Sequence, residues 1–257
     1  MQNITIFYEI HLDVRYLSEP ELEGPTMVAA WPGMGYIAKI SADYLRRRLN
    51  ARLFAEVVYY HNVLLYNSGV GELMPIRHRF YASSPHNLII CVGDAQPSIP
   101  EESIRLAEIV IGVAEKYGAK RIYTMAAYPS EYENEPKVYG IYNYDRLKSV
   151  LDGAGVKVIT DEGAVNGLNG VLIGIARMHG LEGICLMGDI KYANVPQHLS
   201  SKAVLEKLAS ILSVEIDVSQ LEKRAKKIDA SIKKRLEIYE EEMDLAPVPD
   251  KKLGYIS

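Results

Sequence analysis

Along the first 213 residues, short runs rich in Val, Ile, Ala and Met alternate with longer amphipathic stretches, and this rhythm limits the folds open to the chain. Thr26–Trp31 reads as a buried strand stopped by Pro32, and Ile37–Leu49 carries an apolar stripe at helical spacing. The pattern repeats with Leu88–Gly93, the helix after Ser98, Arg121–Tyr128, Val156–Thr160, the helical stretch 167–180, Gly183–Gly188 and Ser200–Leu212. Alternating strands and helices predict an α/β domain over residues 1–213, with a mostly parallel sheet flanked by helices. Ile4–Ile10 and Ala51–Val58 add strands. Residues 62–84, broken by Gly69, Gly71 and Pro75, suit a hairpin at the sheet edge. Ser98 and Glu101 have capping-box spacing, Pro100 suits a first helical turn, and Gly118 suits a helix stop. Residues 129–140 read as a polar loop, either a solvated connection or a binding segment.

Past residue 213 the text changes. Leu221, Ile228, Ile232, Leu236 and Tyr239 recur at helical steps, predicting one helix with a narrow apolar seam within a helical segment, 214–245. Such a seam lies either on its own domain or between subunits. Its early turns are basic (Lys223, Arg224, Lys226, Lys227) and its late turns acidic (Glu240, Glu241, Glu242, Asp244), opposite to the preference of the helix dipole. Antiparallel packing of two copies would match the charges, which favours a homo-oligomer contact. Pro247 and Pro249 end the helix and leave 246–257 as a flexible tail.

Composition narrows the function. A net charge of −4 offers no field for nucleic acid phosphates or an anionic membrane. No apolar run reaches the roughly 18 residues of a membrane span, and no secretory leader opens the sequence, so a soluble cytoplasmic protein is expected. Cys91 and Cys185 sit inside apolar runs, where cysteine behaves as a small hydrophobe. A surplus of Tyr, 18 against 3 Phe, suits contact surfaces.

Chemistry-bearing motifs are sparse. The turn PGMGY, with Gly33 and Gly35 between a strand and a helix, has the shape of an anion nest but lacks the Lys and Ser/Thr of a P-loop and the third glycine of a dinucleotide fingerprint. Asp94 and Asp189 each follow a strand-end glycine, placing two carboxylates along one sheet edge, where they serve either as acid and base or as turn caps. The Gly-rich corner 163–170 reads as packing. Histidines 11, 61, 78, 86, 179 and 198 are scattered without metal-ligand spacing, so no metal and no cofactor are expected. No catalytic set is recognisable, and a non-enzymatic protein is the leading expectation.

Three stretches, WPGMGYIAKISADYL, GAVNGLNGVLIGIARMHGLEGICLMGD and SSKAVLEKLASILSVEIDVSQLEKRAKKIDASIKK, frame residues 27–235 in an unusual order and spacing. In this the chain resembles the PAC2 family, the archaeal and bacterial relatives of proteasome assembly chaperone 2. The resemblance implies a sheet similar to that of nucleoside phosphorylases and hydrolases, homo-oligomers, and docking on the proteasome core-particle α-ring through a terminal hydrophobic-Tyr-any-residue motif. Here the end reads Leu253, Gly254, Tyr255, Ile256, Ser257, so Tyr is third from the end and the register is shifted. Leu253, Tyr255, Ile256 and the Ser257 carboxylate are the expected docking groups. The resemblance thus implies a proteasome-binding assembly chaperone or activator. The alternative is a small-molecule enzyme of nucleoside hydrolase or phosphorylase type working at Gly33, Asp94 and Asp189.

Overall fold

The computed structural model describes residues 13–228, 230 and 231, apart from 131, 133 and 134. The strand expected at Ile4–Ile10, the seam from Ile232 onward and the tail lie outside the described residues.

Among the described residues nine strands form one sheet: β1 (Val14–Tyr16), β2 (Thr26–Ala30), β3 (Arg52–Asn67), β4 (Val70–Ser83), β5 (Leu88–Gly93), β6 (Arg121–Pro129), β7 (Val138–Tyr142), β8 (Lys157–Val158) and β9 (Glu182–Ile190), in the order β1-β3-β4-β5-β2-β6-β9-β7-β8. The centre, β5-β2-β6-β9, is parallel. Antiparallel pairs flank it, β3–β4 and β4–β5 on one side and β7–β9 on the other, where β8 then pairs in parallel with β7 at the edge. The sheet is therefore mixed, with its parallel part confined to the strands joined by helical crossovers.

Strand alternation feeds two cores. Val28, Ala30, Ile90 and Val92 face α1 (Ile37–Arg48), α3 (Lys148–Gly153) and α5 (His198–Leu212). Met27, Ala29, Ile89 and Cys91 face α2 (Pro100–Lys116) and α4 (Leu168–Met178). Full burial on both sides explains why the central strands read as continuous apolar runs. Cys91 and Cys185 are buried free thiols, and desolvation pushes both upward in pKa, Cys185 to about 11. No helix among the described residues is long and apolar enough to cross a membrane.

Several expectations shift. The polar loop of 129–140 runs into β7, antiparallel to β9, so it ends in a strand. Only Lys157–Val158 of the expected strand 156–160 pairs. At α2, Pro100 occupies the first turn as expected, but the N-cap is Ile99 with no side-chain cap, leaving Ser98 one residue too early for a capping box. Gly118, at φ 72°, follows the end of that helix as expected. Beyond α5 the helix of 219–228 is capped by Asp217, whose Oδ1 accepts the Ser219 N–H at 2.9 Å. Past Ser213 the chain stays on the same core: Val214, Ile216 and Val218 pack against it and Leu221 is fully buried in it. Tyr44 Oη donates to the Asp217 carbonyl at 2.7 Å.

Hairpin β3–β4 is far longer than the sequence suggests. It turns through Ser68 and Gly69, both at positive φ (50° and 84°), between the paired residues Asn67 and Val70. This is the two-residue geometry whose twist matches the flanking strands.

Candidate functional site

The carboxyl ends of β2, β5 and β9 carry the turn at Gly33 and Gly35, Asp94 and Asp189, as read from the sequence. What each does there follows from its partners.

Asp94 fastens the root of β4 to β5. One carboxylate oxygen accepts from Arg79 Nη1 at 2.9 Å, with Lys39 Nζ at 3.9 Å. The other accepts the Arg77 backbone N–H at 3.3 Å, and the Asp94 N–H donates to the Arg77 carbonyl at 2.9 Å. Asp189 is buried and pins the ends of the 130–137 loop. It accepts from Ser130 Oγ at 2.6 Å and from the Lys137 N–H at 2.9 Å, while its own carbonyl accepts the Ser200 hydroxyl. Since β5 and β9 stand three strands apart, the two acids are separated by roughly 14 Å at about 4.8 Å per strand. They do not form an acid/base couple.

In the PGMGY turn two backbone donors are committed. The Gly35 N–H donates to the Ala193 carbonyl at 2.7 Å and the Tyr36 N–H to the Gly33 carbonyl at 2.9 Å. Gly35 itself is required: its φ is 62°, and a Cβ there would lie 2.7 Å from Gln197 Cγ. The turn thus closes on the 193–197 loop.

A cluster missed by sequence reasoning lies beside the turn. Trp31 is fully buried, and its indole N–H donates to His78 Nδ1 at 2.9 Å. His78 stacks on Tyr59 at 5.4 Å, and its Nε2 has no partner among the described residues. Burial pulls its pKa down to about 4, against an opposing pull from Asp94, so the ring is neutral near pH 7. Gly93 makes room for this bond, since a Cβ there would fall inside the Trp31 ring. The Trp31 backbone is paired by a side chain: Asn169 Oδ1 accepts its N–H at 3.0 Å and Asn169 Nδ2 donates to its carbonyl at 3.2 Å. Gln96 completes the stitching. Its Nε2 donates to the Pro32 carbonyl, and its Oε1 accepts the Leu168 N–H at 2.7 Å, capping α4. The two Gly-rich corners are therefore joined to each other. The sole Trp, placed just before PGMG, was the one signal in the sequence.

Among the described residues, no group of three His, Cys, Asp or Glu side chains could hold a metal ion. Of the seam residues, Leu221 is buried in its own domain and Ile228 is half-buried, while Ile232, Leu236 and Tyr239, like Leu253–Ser257, lie outside the described residues.

A helix-flanked mixed sheet, whose carboxyl edge binds its own loops together and roots a long ribbon, defines an α/β protein with a structural edge. Residues 27–236 match the PAC2 family, and the chain belongs to it. It is 31% identical to the protein MJ1210 of Methanocaldococcus jannaschii over 91% of this chain and 93% of that one. Among solved structures it resembles PbaB of Pyrococcus furiosus, an archaeal proteasome activator, with 30% identity, a TM-score of 0.76, and coverage of 86% of this chain and 97% of that one. It also shares the fold of PbaA from the same organism, an archaeal homolog of proteasome-assembly chaperone, at 24% identity and a TM-score of 0.73 over 90% and 94% of the two chains.

Proposed function

We propose that this protein is a non-enzymatic, cytoplasmic proteasome-binding protein, an assembly chaperone or activator. In this reading it self-associates and docks on the core-particle α-ring through the tail 246–257. The observation that carries the reading is the likeness to a proteasome activator across nearly that protein's whole length. The site supports it indirectly, because Asp94 and Asp189 are occupied in holding the scaffold and are too far apart to act on one small molecule. Tyr255 is the anchor, a flat apolar ring with a polar tip, flanked by Leu253 and Ile256 with Ser257 beyond. Several tails on one assembly would bind together, so weak single contacts add up to useful avidity.

The purified protein, mixed with a core particle from the same cell, is expected to form a complex visible by native gel and electron microscopy. Tyr255→Ala should abolish that complex while leaving the fold and self-association intact. A variant that binds as tightly as the parent removes the tail from the docking role.

A further inference from the structure

The ribbon β3–β4 runs on beyond the sheet that supports it. On its outer side β1 pairs with β3 only at Ala55–Val57, and on its inner side β5 pairs with β4 only from His78 to Ser83. Among the described residues, the stretch from Tyr60 to Pro75 has no neighbouring strand on either edge. At about 3.3 Å per residue, the turn stands roughly 25 Å beyond Tyr60. It projects past the carboxyl end of β5, rooted by Asp94 on Arg77 and by His78 under Trp31.

This arm is apolar where it meets solvent. Tyr60, Leu64, Leu65, Tyr66, Val70 and Leu73 are all exposed, Tyr66 by 81% and Val70 by 67%. The register puts Leu64 opposite Leu73 and Tyr66 opposite Gly71 on one face, with Leu65 and Val70 on the other. Gly71 adds no side chain, and Leu64 lies over it, so that face is smooth. An isolated two-stranded hairpin is marginally stable in water, and exposed apolar surface on this scale marks a contact.

Charge and area identify the occupant. From Tyr60 to Pro75 the one Asp, Glu, Lys or Arg is Glu72, which the register puts on the face of Leu65, so the face of Leu64, Tyr66 and Leu73 is uncharged although each chain carries a net charge of −4. In a two-fold contact identical surfaces face each other, so copies of one chain meet with least repulsion where charge is absent, whereas an unrelated partner is selected by complementary charge. The face that carries Tyr60, Leu64, Tyr66 and Leu73 exposes on the order of 480 Å² per copy, taking large side chains at about 150–250 Å² each, so two copies would bury roughly 960 Å², the size of a weak, concentration-dependent contact. By contrast Leu221 and Ala225, which begin the C-terminal seam, are buried in their own chain. We propose that the β3–β4 arm is the surface by which two copies of this protein associate, arm packed against arm about a two-fold axis. The proposal rests on the self-association part of the function proposed above and gives it a location.

The test uses the full chain, with light scattering after size exclusion over a range of concentrations. Leu64→Lys combined with Tyr66→Lys places like charges across the two-fold axis and should lower the mass to half or less, with an unchanged far-UV spectrum. Leu64→Glu combined with Tyr66→Glu should do the same, and mixing the Lys and Glu variants should restore the parent mass, which only arm-to-arm contact provides. A parent that stays monomeric overturns both self-association and the arm. A parent that associates while the Lys variant keeps its mass overturns the arm alone. Loss of mass without rescue on mixing overturns the arm-to-arm arrangement. Should the variants misfold, amide exchange of the parent at two concentrations decides: protection at 62–74 must rise with association, and unchanged protection there refutes the proposal. None of these readings involves a core particle, so failure of docking is scored separately.

Discussion

Replacing Asn169 by Ala tests whether the corner beside the candidate site is held as described. Asn169 is 4% exposed and gives the Trp31 backbone the two hydrogen bonds that a neighbouring strand would otherwise supply. Alanine leaves a buried N–H and a buried carbonyl without partners, at about 1–3 kcal/mol each, so a loss of about 2–5 kcal/mol is expected. For a domain of this size each kcal/mol moves Tm by roughly 2–4 °C, which places the variant about 4–20 °C below the parent. Trp31 is the sole tryptophan and is buried, so its fluorescence during urea unfolding reports the transition from the place where the bonds are lost. Asn169→Asp sharpens the test. It keeps the acceptor but turns a carboxylate toward the Trp31 carbonyl, and it should recover stability as pH falls and the protonated carboxyl becomes a donor. If Asn169→Ala unfolds within about 0.5 kcal/mol of the parent, the Trp31 backbone is satisfied by other means and the argument for the stitched corner fails.

Gly93→Ala should cost about 3 kcal/mol or more, because the added methyl collides with the Trp31 ring and with His78; parent-like melting together with parent-like near-UV dichroism would show that the ring can shift freely. His78 predicts a pH effect. The unfolded chain takes up the proton near 6.5 but the folded protein only near 4, so falling pH across that window favours unfolding by on the order of 3 kcal/mol. His78→Gln lacks this linkage, and its stability deficit relative to the parent should shrink between pH 7 and pH 4; a constant gap would mean that His78 is not buried as a neutral ring.

The local periodicities of this sequence determined its secondary structure. Strand β2, helices α1, α2 and α4, strand β9 and helix α5 fall within about two residues of where apolar spacing, prolines and glycines put them, because those signals act over a turn of helix or a few strand residues. Family membership was legible for the same reason, since the ordered Gly-rich corners are contiguous text. Pairing was not legible. A strand carries no mark of its neighbour or direction, so the antiparallel flanks and the role of β7 emerged only when non-local hydrogen bonds were satisfied. Residues 62–75 read as broken pieces because Gly and Pro suggest breaks locally, yet the ladder with β3 absorbs them into one ribbon.

The same division runs through the site. That Asp94 and Asp189 end strands was visible in two Gly-Asp pairs, but strand order alone decided that they stand apart and fasten different loops. The bonds that organise the corner join Trp31 to His78 across 47 residues and Trp31 to Asn169 across 138. Each partner on its own is an ordinary polar residue in an apolar stretch. Only closure of the sheet and its helices, which removes water from both groups at once, makes one the required partner of the other.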